Sequence, residues 1–279
     1  MSRVYRALEK AEKEKTKKEK AEPISSILQE VIISREEVAP DKVLKVDIKE
    51  VGVPGEEEFP FLIAPPDSFA AEQFRKLRTF IFMRSPQAPR LILITSAFPQ
   101  EGKTTVALNL AMAISQEINK KAILIDADLR MPSIYLKDFE NSPGLSNYLT
   151  DHIPIESVMK NSGKEKLYII PAGKPSSQAA ELIGSRKMEE LLHFLRNFGE
   201  DTYTLIDSPP IISASEPILL SRMVDGVILV VMAEKTPRAA IRKAINGISK
   251  EKMLGVVFNQ KELKATKYYS EYYYKKYKK

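Results

Sequence analysis

The sequence predicts an α/β fold, a mainly parallel β-sheet with helices on both faces. Three observations carry that expectation. Short, almost uninterrupted apolar runs recur along the chain, helix-favouring stretches separate most of them, and polar or acidic residues follow several runs directly. A strand buried on both faces needs apolar side chains on both, so a continuous run marks a sheet covered on two sides. With 279 residues and a hydrophobic fraction of 43%, the chain can build a packed core.

Taken in order, residues 1–22 are charged and helix-favouring, with Val4, Leu8 and Ala11 at helical spacing. They fit a solvated helix, an amphipathic docking helix or a lipid-surface anchor. Residues 23–66 hold prolines at 23, 40, 54, 60, 65 and 66, glycines at 52 and 55, and the acidic run Glu56 to Glu58. That composition predicts an extended linker. One domain is expected over 67–260. It opens with a helix whose stripe is Phe69, Phe74, Leu77, Phe80 and Ile81. RLILITSA then reads as a strand and TTVALNLAMAISQEI as a helix. KAILIDAD, KLYIIPAG, TYTLIDSPP, DGVILVVMA and KMLGVVFNQ repeat the strand pattern, with helices expected over Ser185–Phe198 and Thr236–Ser249. Five or six strands follow from this, their order open. Residues 261–279 form a separate, basic tail with Tyr268, Tyr269, Tyr272, Tyr273, Tyr274 and Tyr277.

The net charge of +6 is unevenly spread. Residues 1–20 carry eight Lys or Arg against four Glu, and residues 261–279 carry seven Lys against two Glu, so the body is mildly acidic. No basic face for nucleic acid spans the domain. Absence of cysteine excludes disulfides and thiolate metal sites and suits a reducing compartment. No run of 18 apolar residues occurs, and the first 20 residues lack the apolar core of a secretion signal.

The chemistry starts at TSAFPQEGKTT, Thr95 to Thr105. Gly102-Lys103-Thr104 ends it as a phosphate loop ends, between an apolar run and a helix, while Ala97 stands where the first glycine usually does. Backbone amides at a helix start lack intrahelical partners and face anions. Gln100, Glu101, Gly102, Lys103, Thr104 and Thr105 are therefore the expected cradle. Lys103 would reach the outer phosphates and the Thr104 hydroxyl would join a Mg²⁺ shell. Asp126 and Asp128 follow one apolar run and Asp207 another, at the sheet edge where α/β ligands bind. Carboxylates beside Mg²⁺ and polyphosphate are what phosphoryl transfer requires. Arg130 could pair with one of these acids, with phosphate, or in a structural ion pair. His152 and His193 are not spaced as a metal pair.

Together, the loop, LIDADLRMP (124–132), TLIDSPP (204–210), DGVILVV (225–231), Glu72-x-x-Arg75-x-x-Arg78 and the tyrosine tail resemble one family. It is the bacterial protein-tyrosine kinases of polysaccharide export, P-loop NTPases of the deviant Walker A type that are related to MinD and ParA. The resemblance covers residues 67–279, and SRVYRALEKAE (2–12) looks like the stand-alone cytoplasmic form. It implies ATP and ADP as nucleotides, Lys103 and Thr104 on the β/γ-phosphates and Mg²⁺, Asp128 and Asp207 supporting the metal, and Asp126 preparing a tyrosine hydroxyl. Asn259 is an adenine-contact candidate. Glu72, Arg75 and Arg78 match the motif by which members pack into rings, although residues three apart on a helix also form intrahelical pairs. Implied partners are a separate transmembrane polysaccharide co-polymerase that activates the kinase, further copies of the chain and a cognate tyrosine phosphatase. The implied place is cytoplasmic, at the inner face of the membrane through that partner. Two positions depart from the pattern: Gln100 stands where members usually have Gly, and Ala97 replaces the lysine of the MinD and ParA branch.

A phenol stays protonated at neutral pH, so a tyrosine nucleophile needs a base and a polarising metal site. On this reading the tail is the phosphate acceptor; the other readings are an assembly element and a base-stacking stripe. For the whole chain, a protein-tyrosine autokinase stands against a MinD/ParA-like nucleotide-operated scaffold and a weakly catalytic regulatory module.

Overall fold

Order in this chain grows outward from its apolar runs. A computed structural model describes residues 64–84, 88–134, 142–151, 153–163 and 166–260. The charged segment expected over 1–22, nearly all of the linker, His152 and the tyrosine tail lie outside the described residues.

The first helix, α1 (Phe69–Phe82), starts where the Ser68 hydroxyl accepts the Ala71 amide at 3.1 Å. Its buried stripe is narrower than expected. Phe74, Leu77 and Ile81 face the core at helical spacing, whereas Phe69 and Phe80 are 40% and 49% exposed. Next come β1 (Leu91–Ser96), α2 (Lys103–Ser115) and β2 (Lys121–Asp126). Every residue of α2 from Val106 to Ser115 is buried, because it lies between the sheet and α1. A helix covered all round has to be apolar all round, which its Ala, Leu and Met content satisfies.

Beyond β2 the chain forms α3 (Leu145–Asp151), α4 (Ile155–Val158), β3 (Lys160–Asn161), β4 (Leu167–Ile170), α5 (Ala179–Ile183) and α6 (Arg186–Arg196). It closes with β5 (Thr202–Asp207), α7 (Glu216–Met223), β6 (Gly226–Met232), α8 (Arg238–Asn246) and β7 (Met253–Asn259). The described sheet has seven strands, in the order β3-β4-β2-β5-β1-β6-β7. Only β3 runs antiparallel, against β4. It is the strand beyond the five or six expected, and two residues are too few to show a period.

Alternate residues of each parallel strand enter two separate cores. Leu91, Leu93, Ile123, Ile125, Ile206, Val227 and Leu229 meet Met188, Leu191, Leu192 and Leu195 of α6 on one face. Ile92, Ile94, Leu124, Leu205 and Val230 meet α2 and Ile81 on the other. Each such Leu or Ile, buried fully, contributes roughly 2 kcal/mol. The base of β1 is pinned from the side. Asp225 accepts the Arg90 and Leu91 amides at 3.0 and 2.9 Å and is held by Arg196 Nε at 3.0 Å. The acid that begins DGVILVV is thus a strand anchor. Placing β1 between β5 and β6 brings the end of β1 beside the end of β5, with β2 one strand further. Crevices at such reversals of strand order are where open α/β sheets take ligands.

Candidate active site

Parallel register sets the acids. Asp126 and Asp207 are Cα partners across β2 and β5, and Ile94 pairs with Asp207 across β1 and β5. All the strand-end chemistry therefore emerges at one edge.

The loop from β1 to α2 turns twice through left-handed backbone, at Gln100 (φ 63°) and Gly102 (φ 86°). Gly102 has to be glycine on two counts. Its φ disfavours a side chain, and a Cβ there would lie 2.0 Å from Asn259 Nδ2. Gln100 occupies comparable backbone with a side chain, a strain of order 1 kcal/mol.

Within the loop, Glu101 points away from the phosphate mouth. Its buried carboxylate accepts the Phe98 amide at 2.8 Å and the Thr236 hydroxyl, and Asn259 Nδ2 donates to its backbone carbonyl at 2.9 Å. The Glu101 side chain, expected in the cradle, is thus engaged within the protein. Asn259, expected near adenine, braces the loop from β7, an additional contact that an Asn after a strand did not disclose. Thr105 lies in the first turn of α2, its carbonyl taken by Asn109 Nδ2 at 2.8 Å.

Lys103 Nζ lies 3.7 Å from Asp128 Oδ2 and 4.0 Å from Asp207 Oδ1. The Thr104 hydroxyl donates to Asp207 Oδ2 at 2.6 Å and lies 3.0 Å from Ser133 Oγ, which also donates to Asp207 Oδ2 at 3.2 Å. Burial pushes the Asp207 carboxyl up against the pull of Lys103. Its Oδ1 is buried and accepts no hydrogen bond. An orphaned carboxylate oxygen beside a threonine hydroxyl and a second carboxylate is a hard, all-oxygen donor set, which fits Mg²⁺. Among the described residues no cluster of three or more His, Asp or Glu is arranged to hold a metal alone.

Asp126 is fully buried and centres the next turn. Oδ1 accepts the Asp128 amide at 3.0 Å, and Oδ2 accepts the amides of Ser133 and Ile134, both at 2.9 Å. Burial first, and the Asp207 charge second, push its carboxyl up to about 7. A base poised near neutrality is what proton abstraction at cellular pH favours. Arg130 forms no hydrogen bond with Asp126, Asp128 or Asp207; its Nε donates to Glu216 at 2.6 Å.

Sequence reasoning missed Ser133, Thr236 and Glu216. None has a periodic or spacing signal, since each reaches its partner only through the fold. The ring-motif residues are engaged within the chain. Glu72 accepts Arg75 Nε at 2.7 Å, while Arg78 donates to the Ala113 carbonyl and pairs with Glu117, both at 2.8 Å. His193 sits exposed in the last turn of α6, away from the site. A cavity of about 460 Å³ lies elsewhere, lined by Ile211, Ile212, Ile218, Lys243 and Ala244, and none of the expected site residues borders it.

A family model described as an AAA domain matches residues 92–255. The chain is similar to the tyrosine-protein kinase YwqD of Bacillus subtilis (strain 168), 35% identical over 213 residues, covering 75% of this chain and 87% of that protein. It is also similar to the putative tyrosine-protein kinase CapB of Staphylococcus aureus, 32% identical over 214 residues, with 75% and 92% covered. The crystal structure of the chimerical protein CapA2B2 matches with a TM-score of 0.65 at 31% identity, over 70% of this chain and 87% of that one. Its fold is that of a P-loop ATPase, and a kinase-like catalytic module follows from these relatives. The chain belongs to the bacterial protein-tyrosine kinase family.

Proposed function

We propose that the protein is an ATP-dependent protein-tyrosine autokinase whose acceptor is its own cluster Tyr268, Tyr269, Tyr272, Tyr273, Tyr274 and Tyr277. The observation that carries this is the convergence of Lys103, Thr104, Asp128 and Asp207 at the opening of α2, with Asp126 behind them. Backbone amides of 100–105 and the Lys103 ammonium bind and orient the β/γ-phosphates. Thr104, Asp128 and Asp207 would hold Mg²⁺, which supplies charge neutralisation at the phosphates. The tyrosine oxygen forms the new bond to the γ-phosphorus as the bond to the β,γ-bridging oxygen breaks. Asp126 accepts the phenolic proton, and ADP leaves. Each phosphate adds about −1.5 to −2 charges to a basic tail, which weakens its attraction to an acidic cleft.

The family's setting supports a wider reading. It includes a ring of copies joined through Glu72, Arg75 and Arg78, a membrane-spanning co-polymerase as activator, a tyrosine phosphatase as counterpart, and control of exopolysaccharide polymerisation or export. On this reading the chain works at the cytoplasmic face of the membrane through that partner. No helix among the described residues is long and apolar enough to cross a membrane. The test is mass spectrometry after incubation with Mg·ATP and the activator. Phosphate is expected on 268–277 and absent in Lys103→Met; an unmodified tail in the active wild-type mixture refutes the acceptor assignment. Gln100, with side chain and left-handed backbone where relatives favour glycine, favours a second reading as a MinD/ParA-like switch. ATP turnover without phosphotyrosine selects that one.

A further inference from the structure

The turn carrying Asp128 is fastened at a point the nucleotide site does not account for. Glu216 opens α7, and its side chain is only 1% exposed. A buried carboxylate is costly unless paired. Its recorded partner is Arg130, whose Nε donates to Oε1 at 2.6 Å from a guanidinium that is 49% exposed. Oε2 is buried and accepts no hydrogen bond. Glu216 is thus bonded through one oxygen, to an arginine that solvent could otherwise satisfy.

Arg130 stands two residues after Asp128 in a tight turn. Asp128 Oδ1 accepts the Met131 amide at 3.1 Å, Ser176 donates to the Leu129 carbonyl at 2.8 Å, and Asp126 gathers both ends of the turn. Asp128 and Glu181 are also within electrostatic reach of Arg130. An unrestrained arginine beside Asp128 would compete for the carboxylate that Lys103 and a metal ion need.

We propose that Glu216 is a positioning residue that draws Arg130 away from Asp128, and so keeps Asp128 available to Mg²⁺. This rests on the nucleotide-site reading above. The pair spans 86 residues of sequence and links the turn after β2 to the helix after β5. The two acid-bearing segments are thereby set relative to one another.

The test is calorimetric titration with an ATP analogue carrying a non-hydrolysable β,γ-methylene bridge, in Mg²⁺ and in EDTA. Glu216→Gln is expected to lower the Mg²⁺-dependent gain in affinity about tenfold, the lower end for groups that orient metal ligands, with affinity in EDTA changed less than about twofold. Adding Arg130→Gln to that variant removes the competitor and is expected to recover most of the gain. Glu216→Asp, which keeps the charge but shortens its reach, is expected to fall between; it serves as the readout if Glu216→Gln does not fold. An unchanged Mg²⁺-dependent gain, an equal loss in EDTA, or a double variant no better than Glu216→Gln overturns the inference and leaves the site reading intact. A wild-type chain that binds no analogue overturns both.

Discussion

Two turns at the same sheet edge are each organised around a buried carboxylate, and they use it in opposite directions. In the phosphate loop, Glu101 faces backward. It gathers the Phe98 amide from its own loop and the Thr236 hydroxyl from the segment after β6. In the turn after β2, Asp126 faces into the site. It gathers the amides of Asp128, Ser133 and Ile134, and it shares the cleft with Asp207. The first arrangement suits an anion, because the negative charge is spent on scaffolding. The second suits a cation or a proton, because the negative charge stays beside a second one. Lys103 is where they meet, 3.7 Å from Asp128.

Removing that meeting point should have the largest effect. Lys103→Met is expected to lower ATP turnover by about a thousandfold, the scale of losing a charge aimed at a transferring phosphoryl group, as read by phosphate release. A loss below tenfold would mean that the two turns do not act as one site.

Next in size is the pH response of the inward-facing acid. A carboxyl raised on folding keeps its proton in the native state over a range where the unfolded chain has released it, so stability falls as pH rises through that range. For Asp126 the range runs from the ordinary carboxylate value to about 7, and Asp207, raised by the same burial, acts in the same direction. Unfolding free energies from urea titration without nucleotide should therefore decline from pH 4 to pH 7, by on the order of 4 kcal/mol from Asp126 alone. Asp126→Asn should flatten most of that slope; an equally steep variant would remove Asp126 as its source.

The backward-facing acid is expected to matter less. Glu101→Ala leaves the Phe98 amide and the Thr236 hydroxyl without their acceptor, a cost of about 2 kcal/mol in chemical denaturation. Nucleotide affinity should fall with it, because the loop loses its tie to Thr236. Smallest of all is Gln100→Gly. Relief of left-handed strain is partly offset by added freedom in the unfolded chain, leaving about 0.5 kcal/mol of stabilisation, measurable as a small rise in Tm.

Much of the fold was legible because its signal is local. Six apolar runs became six strands, since most are covered on both faces and their sequence states that directly; β7, at the sheet edge, is only partly buried. The two-residue β3 escaped because it exists only through pairing with β4. The stripe of α1 was read too wide at Phe69 and Phe80, since apolar residues near a stripe look alike until the packing of α2 selects Phe74, Leu77 and Ile81. In the site, Lys103, Thr104, Asp126, Asp128 and Asp207 were legible from their position after apolar runs. The inward turn of Arg78 toward Ala113 and Glu117 was not, because the spacing of Glu72, Arg75 and Arg78 describes only their own helix.

By itself, the amino-acid order determined the chemical inventory: a glycine-lysine-threonine loop at the start of a helix, and acids at the ends of two buried strands. Those are properties of neighbours in the chain, and short-range sterics and hydrophobic periodicity express them. Tertiary structure alone decided which acids face one another, that Glu101 braces while Asp126 titrates, and that Arg130 is held by Glu216. Those outcomes depend on strand register and on exclusion of water, and neither exists until distant segments have packed together.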